Sequence, residues 1–201
     1  IDMAVSCNRY EEYLEHLDVK RLERDREMWN TRVKQGTAGD SQTEIAKKNL
    51  AVIIKRIDKA AAFAEAKKFD AAVLLNARLA PDMFTLTRQV QIACDMIKGA
   101  AARLSGTEIP KYEDNEATVA ELKARIAKTL AFVNGVDAAK FAGSEDRDIV
   151  LQARAGELRL KGLNYLRDYV LPNVYFHVTT TYAILRHNGV ELGKPDFIGT
   201  H

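Results

Sequence analysis

The side chains best suited to chemistry lie close together near the carboxyl end of this 201-residue chain. On a helix, residues 163–188 place Asn173, His177 and Thr181 on one face, among leucine, valine and isoleucine side chains. A buried polar group without a partner costs about 1 to 3 kcal/mol. The three residues must therefore pair with one another, with a facing helix, with water or with a ligand. The pattern predicts either a hydrogen-bonded buried histidine or a ligand or metal contact at His177.

A facing helix is predicted over residues 83–105, where leucine, valine, isoleucine and alanine share one narrow face. On this helix Gln89 lies about 60° and Cys94 about 80° from the centre of that face, so either side chain can reach the interior. Gln91 and Asp95 fall on the opposite side, toward solvent or a second packing layer. The candidate binding residues are Gln89, Asn173, His177 and Thr181.

Two further helices position this face. One is predicted over residues 41–68, where Ser41 and Glu44 form a capping box, and one over residues 118–134. Pro172 either starts a second helix or kinks the last one. Four amphipathic segments with short connections predict an all-α four-helix bundle, an architecture whose ligand sites are built from side chains on facing helices.

The period of the apolar residues changes from helical to alternating just before the last helix. Apolar and polar residues alternate over 149–153 and again over 158–160, with Ala155 and Gly156 at a turn between them. This pattern predicts a small two-stranded β-hairpin. Because a lone hairpin is marginally stable in water, we expect it to pack against the bundle.

The first 40 residues differ in character from the bundle domain predicted over residues 41–199. Residues 9–34 contain fourteen charged residues, and their apolar residues form only a thin helical stripe. A linker follows at residues 35–41. This charged helical extension is either a solvated appendage or a docking arm for a protein partner. Its candidate partner-binding residues are Trp29, Tyr10, Leu14 and Leu17.

Composition excludes several classes of protein. A net charge of +2, from 30 basic and 28 acidic residues, is far from that of a nucleic-acid-binding protein. Cys7 and Cys94 match no disulfide or metal motif, and no apolar run is long enough to span a membrane. We therefore expect a soluble intracellular protein without nucleic-acid partners. It belongs in the cytoplasm, or in a mitochondrion or other organelle if the start at Ile1 reflects a removed presequence.

Two blocks of sequence carry a family resemblance. NARLAPDMFTLTRQVQIACDMIKGAAARLSG (76–106) and LPNVYFHVTTTYAILRHNGVELGKPDF (171–197) are similar to a domain-of-unknown-function branch of the DinB/YfiT-like superfamily. The resemblance extends from about residue 41 to 199. It implies a DinB-like four-helix bundle, here with a small β-hairpin before the last helix and an extra N-terminal helix.

The resemblance also implies a metal-site pattern. Relatives in the superfamily bind a divalent metal with three histidines, one on the second helix and two spaced four apart on the fourth. This chain has His177 at the second fourth-helix position, Asn173 at the first, and only Gln89 or Gln91 on the second helix. One imidazole with two amides suits zinc and nickel poorly. We expect a degenerate metal site without a cofactor, and a divalent metal at His177 is the alternative.

Two functions from different classes follow. The first is a non-catalytic interaction or accessory subunit of a larger assembly, joined through the N-terminal extension. The second is a metal- or thiol-dependent small-molecule transferase, isomerase or hydrolase of the DinB type. In that enzyme His177 would be a metal ligand or general base, and Asn173, Gln89 and Thr181 would orient the substrate. A homodimer through exposed bundle faces is a further possibility.

Overall fold

The computed structural model describes residues 23–24, 27, 38–153 and 156–199, with backbone alone for 38–44 and 153. Four long helical segments form the bundle, and short elements connect them or follow them. The long segments are α1 (Ala38–Lys67), α3 (Leu86–Ser105), α4 (Val119–Gly135) and a last segment that ends with α6 (Leu171–His187). The short elements are α2 (Ala72–Leu75), a 3₁₀ helix (Ala138–Phe141), β1 (Asp148–Ala153), β2 (Gly156–Lys161), α5 (Gly162–Asn164) and α7 (Lys194–Ile198).

The fold confirms the predicted bundle with a small hairpin, and it corrects two boundaries. Helix α1 begins at Ala38, so the predicted linker is shorter than residues 35–41 and Ser41 lies inside the helix. Helix α3 begins at Leu86 because Thr85 caps it, accepting a hydrogen bond from the N–H of Arg88. The predicted amino-terminal helix, with Trp29, lies outside the described residues except for positions 23–24 and 27, which are helical.

Side-chain contacts give the direction of each long helix. Gln89 meets His177 and Arg103 meets Tyr165, so α3 and the last segment run antiparallel. Arg56 contacts Thr181 and Lys59 contacts Glu191, so α1 runs parallel to the last segment. Gln91 contacts Glu116 and Asp95 contacts Arg125, so α3 runs parallel to α4. The four long segments therefore run up, down, down and up. The crossover that makes this order possible is the loop 106–118 between α3 and α4.

Capping residues determine where the helices begin and end. Thr118 and Glu121 form a reciprocal capping box at the start of α4. Gly106, with a φ of 69°, ends α3 in the left-handed conformation that glycine adopts without strain. The fully buried leucine, isoleucine and valine residues that the helical spacing predicts lie between these ends. Among the described residues no helix is long and apolar enough to cross a membrane.

The hairpin packs on the end of the bundle where α3 ends. Its register pairs Leu151 with Leu158, and Ile149 with Leu160. Ile149 and Leu151 are buried, as their alternation predicts. Arg147, just before β1, donates hydrogen bonds to the carbonyls of Arg103 and Leu104 in the last turn of α3, where helix carbonyls lack partners within the helix. Of the predicted turn at Ala155 and Gly156, Ala155 lies outside the described residues, and Gly156 is the first residue of β2, paired with Ala153.

The last long segment contains a wide helical turn in front of Pro172. Helix α5, a π-helix over Tyr165–Val170 and α6 follow one another without a break in helical backbone angles. The N–H of Leu171 donates to the carbonyl of Leu166, five residues back. A proline lacks an N–H and its ring displaces the carbonyl four residues earlier. The wide turn accommodates both effects, so Pro172 lies within one continuous segment.

Replacing Gly162 with alanine should destabilise the fold, because its backbone lies directly against the loop before β1. An added Cβ would stand 1.8 Å from the carbonyl oxygen of Ser144. We expect Gly162→Ala to lower the free energy of unfolding by about 3 kcal/mol, because main chain must move. Gly135→Ala, with nothing within 4 Å of its added Cβ, is the matched control and should have little effect. Urea unfolding of both variants tests this, and equal small changes would contradict it.

Candidate functional site

His177 and Gln89 form the polar pair at the centre of the candidate site. The His177 Nδ1 lies 2.6 Å from the Gln89 Oε1, across the contact between α6 and α3. Both residues are nearly buried, with 8% and 1% of their surfaces exposed. The Gln89 Nε2 donates to the carbonyl of Phe84 at 3.4 Å, which orients the amide. Its Oε1 therefore accepts, and the His177 Nδ1 carries the proton.

The tautomer leaves Nε2 of His177 as the free acceptor. Burial, with a smaller contribution from the charge of Arg88, lowers the pKa of His177 from 6.5 to about 4. The imidazole is therefore neutral at physiological pH. Among described residues the buried side-chain atoms without a hydrogen-bond partner are Arg125 Nε and Ser144 Oγ. The Nε2 atom of His177 is not among these buried atoms, and no described residue forms a hydrogen bond with it. It therefore lies at the protein surface.

An exposed aromatic ring, Phe176, borders this pair, and a second exposed aromatic residue, Phe84, adjoins it through its main chain. Phe84 precedes α3 and its carbonyl accepts from Gln89, Phe176 precedes His177, and each has 55% of its surface exposed. The Phe176 ring meets the imidazole edge to face, with 5.2 Å between centroids. The site therefore has a neutral acceptor, an apolar rim, and a cationic side chain, Arg88, whose charge acts on the imidazole.

Asn173 and Thr181 lie on the predicted helix face but do not join the His177 pair. The side chain of Asn173 donates to the carbonyl of Tyr169 at 2.6 Å. The hydroxyl of Thr181 donates to the carbonyl of Val178 at 2.7 Å and accepts from Arg56 at 3.3 Å. Of the four residues proposed as a binding set, the structure brings together only Gln89 and His177.

Arg56 is a buried residue that the sequence analysis missed. Its guanidinium donates to the carbonyls of Val178, Asp196 and Phe197, at 2.6, 3.1 and 3.2 Å. It also lies over the rings of Tyr182 and Phe197. Burial lowers its pKa to about 10. Arg56 therefore holds α7 on α1 and α6, and its position beside Ile53 and Ile57 on the apolar stripe of α1 was the available signal.

Arg125, itself buried, organises a second polar network between α3, α4 and the crossover loop. It pairs with Asp95, Asp114 and Glu116 at 2.9 to 3.0 Å. Gln91 donates to Glu116 at 2.8 Å, so Gln91 and Asp95 form a second layer beneath the loop. Burial raises the pKa of the neighbouring Cys94 thiol to about 12, which keeps it protonated and unreactive. This network attaches the crossover to the bundle.

The comparisons with known proteins bear on this geometry. Residues 40–198 match the model of a family described as a domain of unknown function, DUF1993. The chain belongs to the DUF1993 family. It is also similar to the crystal structure of a DinB family member protein from Shewanella denitrificans. The two are 43% identical, the TM-score is 0.71, and the similarity covers 90% of this chain and 96% of that one. No curated protein matches the sequence.

The donor set of this DUF1993 chain does not fit the metal that the DinB fold implies. Around His177 the donor on the facing helix α3 is an amide, Gln89, and its oxygen already accepts a hydrogen bond from the imidazole. Asn173 is turned to its own backbone. In the part of the chain that the structure describes, no three His, Cys, Asp or Glu side chains converge to hold an ion. Zinc and nickel sites need more nitrogen or sulfur donors than this pair offers.

Acid should destabilise this DUF1993 protein through His177. Between pH 6.5 and about 4 the unfolded chain binds a proton that the folded chain does not. The free energy of unfolding should therefore fall as the pH decreases through this window, and this contribution should level off below it. His177→Gln keeps an amide donor for Gln89 but does not titrate. Urea unfolding across the window should show a shallower decline in the variant, and parallel curves would contradict the assignment.

Proposed function

We propose that the protein is a non-catalytic accessory subunit, which joins a larger assembly through its charged N-terminal extension. The observation that supports a non-catalytic role is the hydrogen bond between Nδ1 of His177 and Gln89. The pair satisfies two buried polar groups with each other, as a structural contact does. An imidazole whose pKa is lowered to about 4 is also a weak base near neutral pH.

The proposal that the chain joins an assembly rests on the composition of the N-terminal extension. Residues 9–34 are rich in charge of both signs yet carry large apolar side chains at helical spacing. Tyrosine, tryptophan and leucine on a charged helix suit a protein interface with a polar rim and a few buried anchors. The apolar candidates are Trp29, Tyr10, Leu14 and Leu17.

A triple replacement tests whether the N-terminal extension binds a protein partner. Tyr10→Ser, Leu14→Ser and Leu17→Ser together should release the chain from the complex it forms in its native source. Losing even one anchor worth roughly 2 kcal/mol weakens binding about 30-fold. The matched control replaces three exposed apolar residues of the bundle with serine: Val73, Leu79 and Val150. Light scattering after size exclusion gives the mass. A wild-type chain that is monomeric in native extract, or equal loss in both triples, would reject the proposal.

A second candidate is a small-molecule enzyme that uses His177. It is favoured by one observation, the free Nε2 atom at the surface beside Phe176. Its neutral state and fixed tautomer suit a general base, although its lowered pKa limits the driving force for proton transfer.

Metal analysis separates the two candidates. For the accessory subunit we expect untagged full-length protein to carry less than stoichiometric metal by elemental analysis. Zinc, nickel and manganese should then shift the melting temperatures of the wild type and of His177→Ala equally. Stoichiometric metal, or a shift that disappears in His177→Ala, would instead favour the enzyme.

A further inference from the structure

A cavity of about 190 Å³ lies between α1, α6 and α7, away from the His177 pair. Tyr175, which lines it, is about 160° around α6 from His177. The apolar part of its wall consists of Val52 of α1, Val178 of α6, and Phe197 and Ile198 of α7. Lys48, Tyr175 and Ile198 are exposed, so the cavity opens to solvent.

The α7 side of the cavity is held in place by Arg56. Its guanidinium donates to the carbonyls of Asp196 and Phe197 and lies 5.1 Å from the centroid of the Phe197 ring. The same ring meets Tyr182 edge to face. The wall is therefore preformed, as the walls of small-molecule sites usually are.

Asn49 brings an unpaired acceptor to this cavity. The residue is 7% exposed, and its Nδ2 donates to the carbonyl of Ile45 one turn earlier, at 2.9 Å. No described residue donates to its Oδ1, and Oδ1 is not among the fully enclosed atoms without partners. Because Asn49 lines the cavity, the accessible surface of Oδ1 is there. A buried acceptor of this kind needs a donor, which a ligand hydroxyl can supply.

Lys48 places a positive charge at the mouth of the cavity. Its side chain is exposed and lines the cavity, and it forms no ion pair with any described residue. None of the described residues that line the cavity is acidic. A carboxylate at the mouth would therefore be attracted by Lys48 and repelled by no charge in the lining.

We propose that this cavity binds a small aromatic carboxylate that carries a hydroxyl group. A cavity of roughly 150 Å³ holds a benzene ring, so this one holds a ring with two small substituents. The ring packs against Val178 and Phe197, the hydroxyl donates to Oδ1 of Asn49, and the carboxylate stays at the mouth beside Lys48. The site is separate from His177 and from the N-terminal extension, so it does not depend on the function proposed above.

Three related compounds test the two polar contacts in the purified full-length protein. At neutral pH 4-hydroxybenzoate should bind with a Kd of about 0.1 to 1 mM, a range that suits a ten-atom ligand. Benzoate lacks the hydroxyl and should bind about tenfold more weakly. Phenol lacks the carboxylate and should bind about threefold more weakly. NMR titration of the isotope-labelled protein measures all three constants and shows which amides shift.

Two substitutions assign the contacts. Asn49→Leu keeps the size of the side chain but removes the acceptor, so 4-hydroxybenzoate and benzoate should bind equally. Lys48→Gln removes the charge, so both carboxylates should bind about threefold more weakly and phenol should be unaffected. Lys67→Gln makes the same change at an exposed position of α1, about 28 Å away, and should bind all three compounds as the wild type does.

The wild type alone can overturn the proposal, whether or not Asn49→Leu folds. Either no binding of 4-hydroxybenzoate at millimolar concentrations, or equally tight binding of benzoate, would do so. Equal affinities in Lys48→Gln, Lys67→Gln and the wild type would place the ligand elsewhere, against the proposal. Discrimination between the two carboxylates that is lost in Asn49→Leu, with amide shifts centred on α1 and α7, supports it. None of these measurements involves a protein partner.

Discussion

The last helix turns a histidine toward the interior of an apolar bundle, and the hydrogen bond of that histidine to Gln89 makes this possible. A polar side chain between helices costs stability unless a partner replaces the water it loses. Gln89 supplies this partner from α3, so a polar contact joins the two helices. The same requirement explains Arg56, whose guanidinium is satisfied by main-chain carbonyls of the last segment and α7. Buried polar pairs thus determine which helices meet and in which register.

Sequence periodicity predicted the helices well because each has one apolar face. Helix α4 begins at the capping box of Thr118 and Glu121, and α6 ends at Asn188 and Gly189, as the local chemistry of these residues requires. The start of α1 was missed because glycine, threonine and aspartate near residue 38 resemble a linker in composition, although the backbone is helical from Ala38. The π-helix before Pro172 has no composition of its own that would reveal it.

The candidate site was only partly accessible from sequence. Gln89 and His177 were identifiable because each interrupts or borders an apolar stripe on facing helices. Asn173 and Thr181 share that face, but a helix face does not tell whether a short side chain bonds across the bundle or to its own backbone. Arg56 and Arg125 border apolar stripes as well, but the sequence analysis named neither. Their acceptors come from distant segments, Asp196 and the crossover loop, which no local pattern reveals.

The bond between Arg56 and the carbonyl of Asp196 joins positions 140 residues apart. Since α1 also lies parallel to the last segment, the first long helix of the bundle packs against the last one. During synthesis this side of α1 has no cover until residue 197 has left the ribosome. Until then the nascent chain presents an incompletely covered apolar helix, of the kind that chaperones bind. A chain cut short before Asp196 would leave the guanidinium of Arg56 without two of its carbonyl partners.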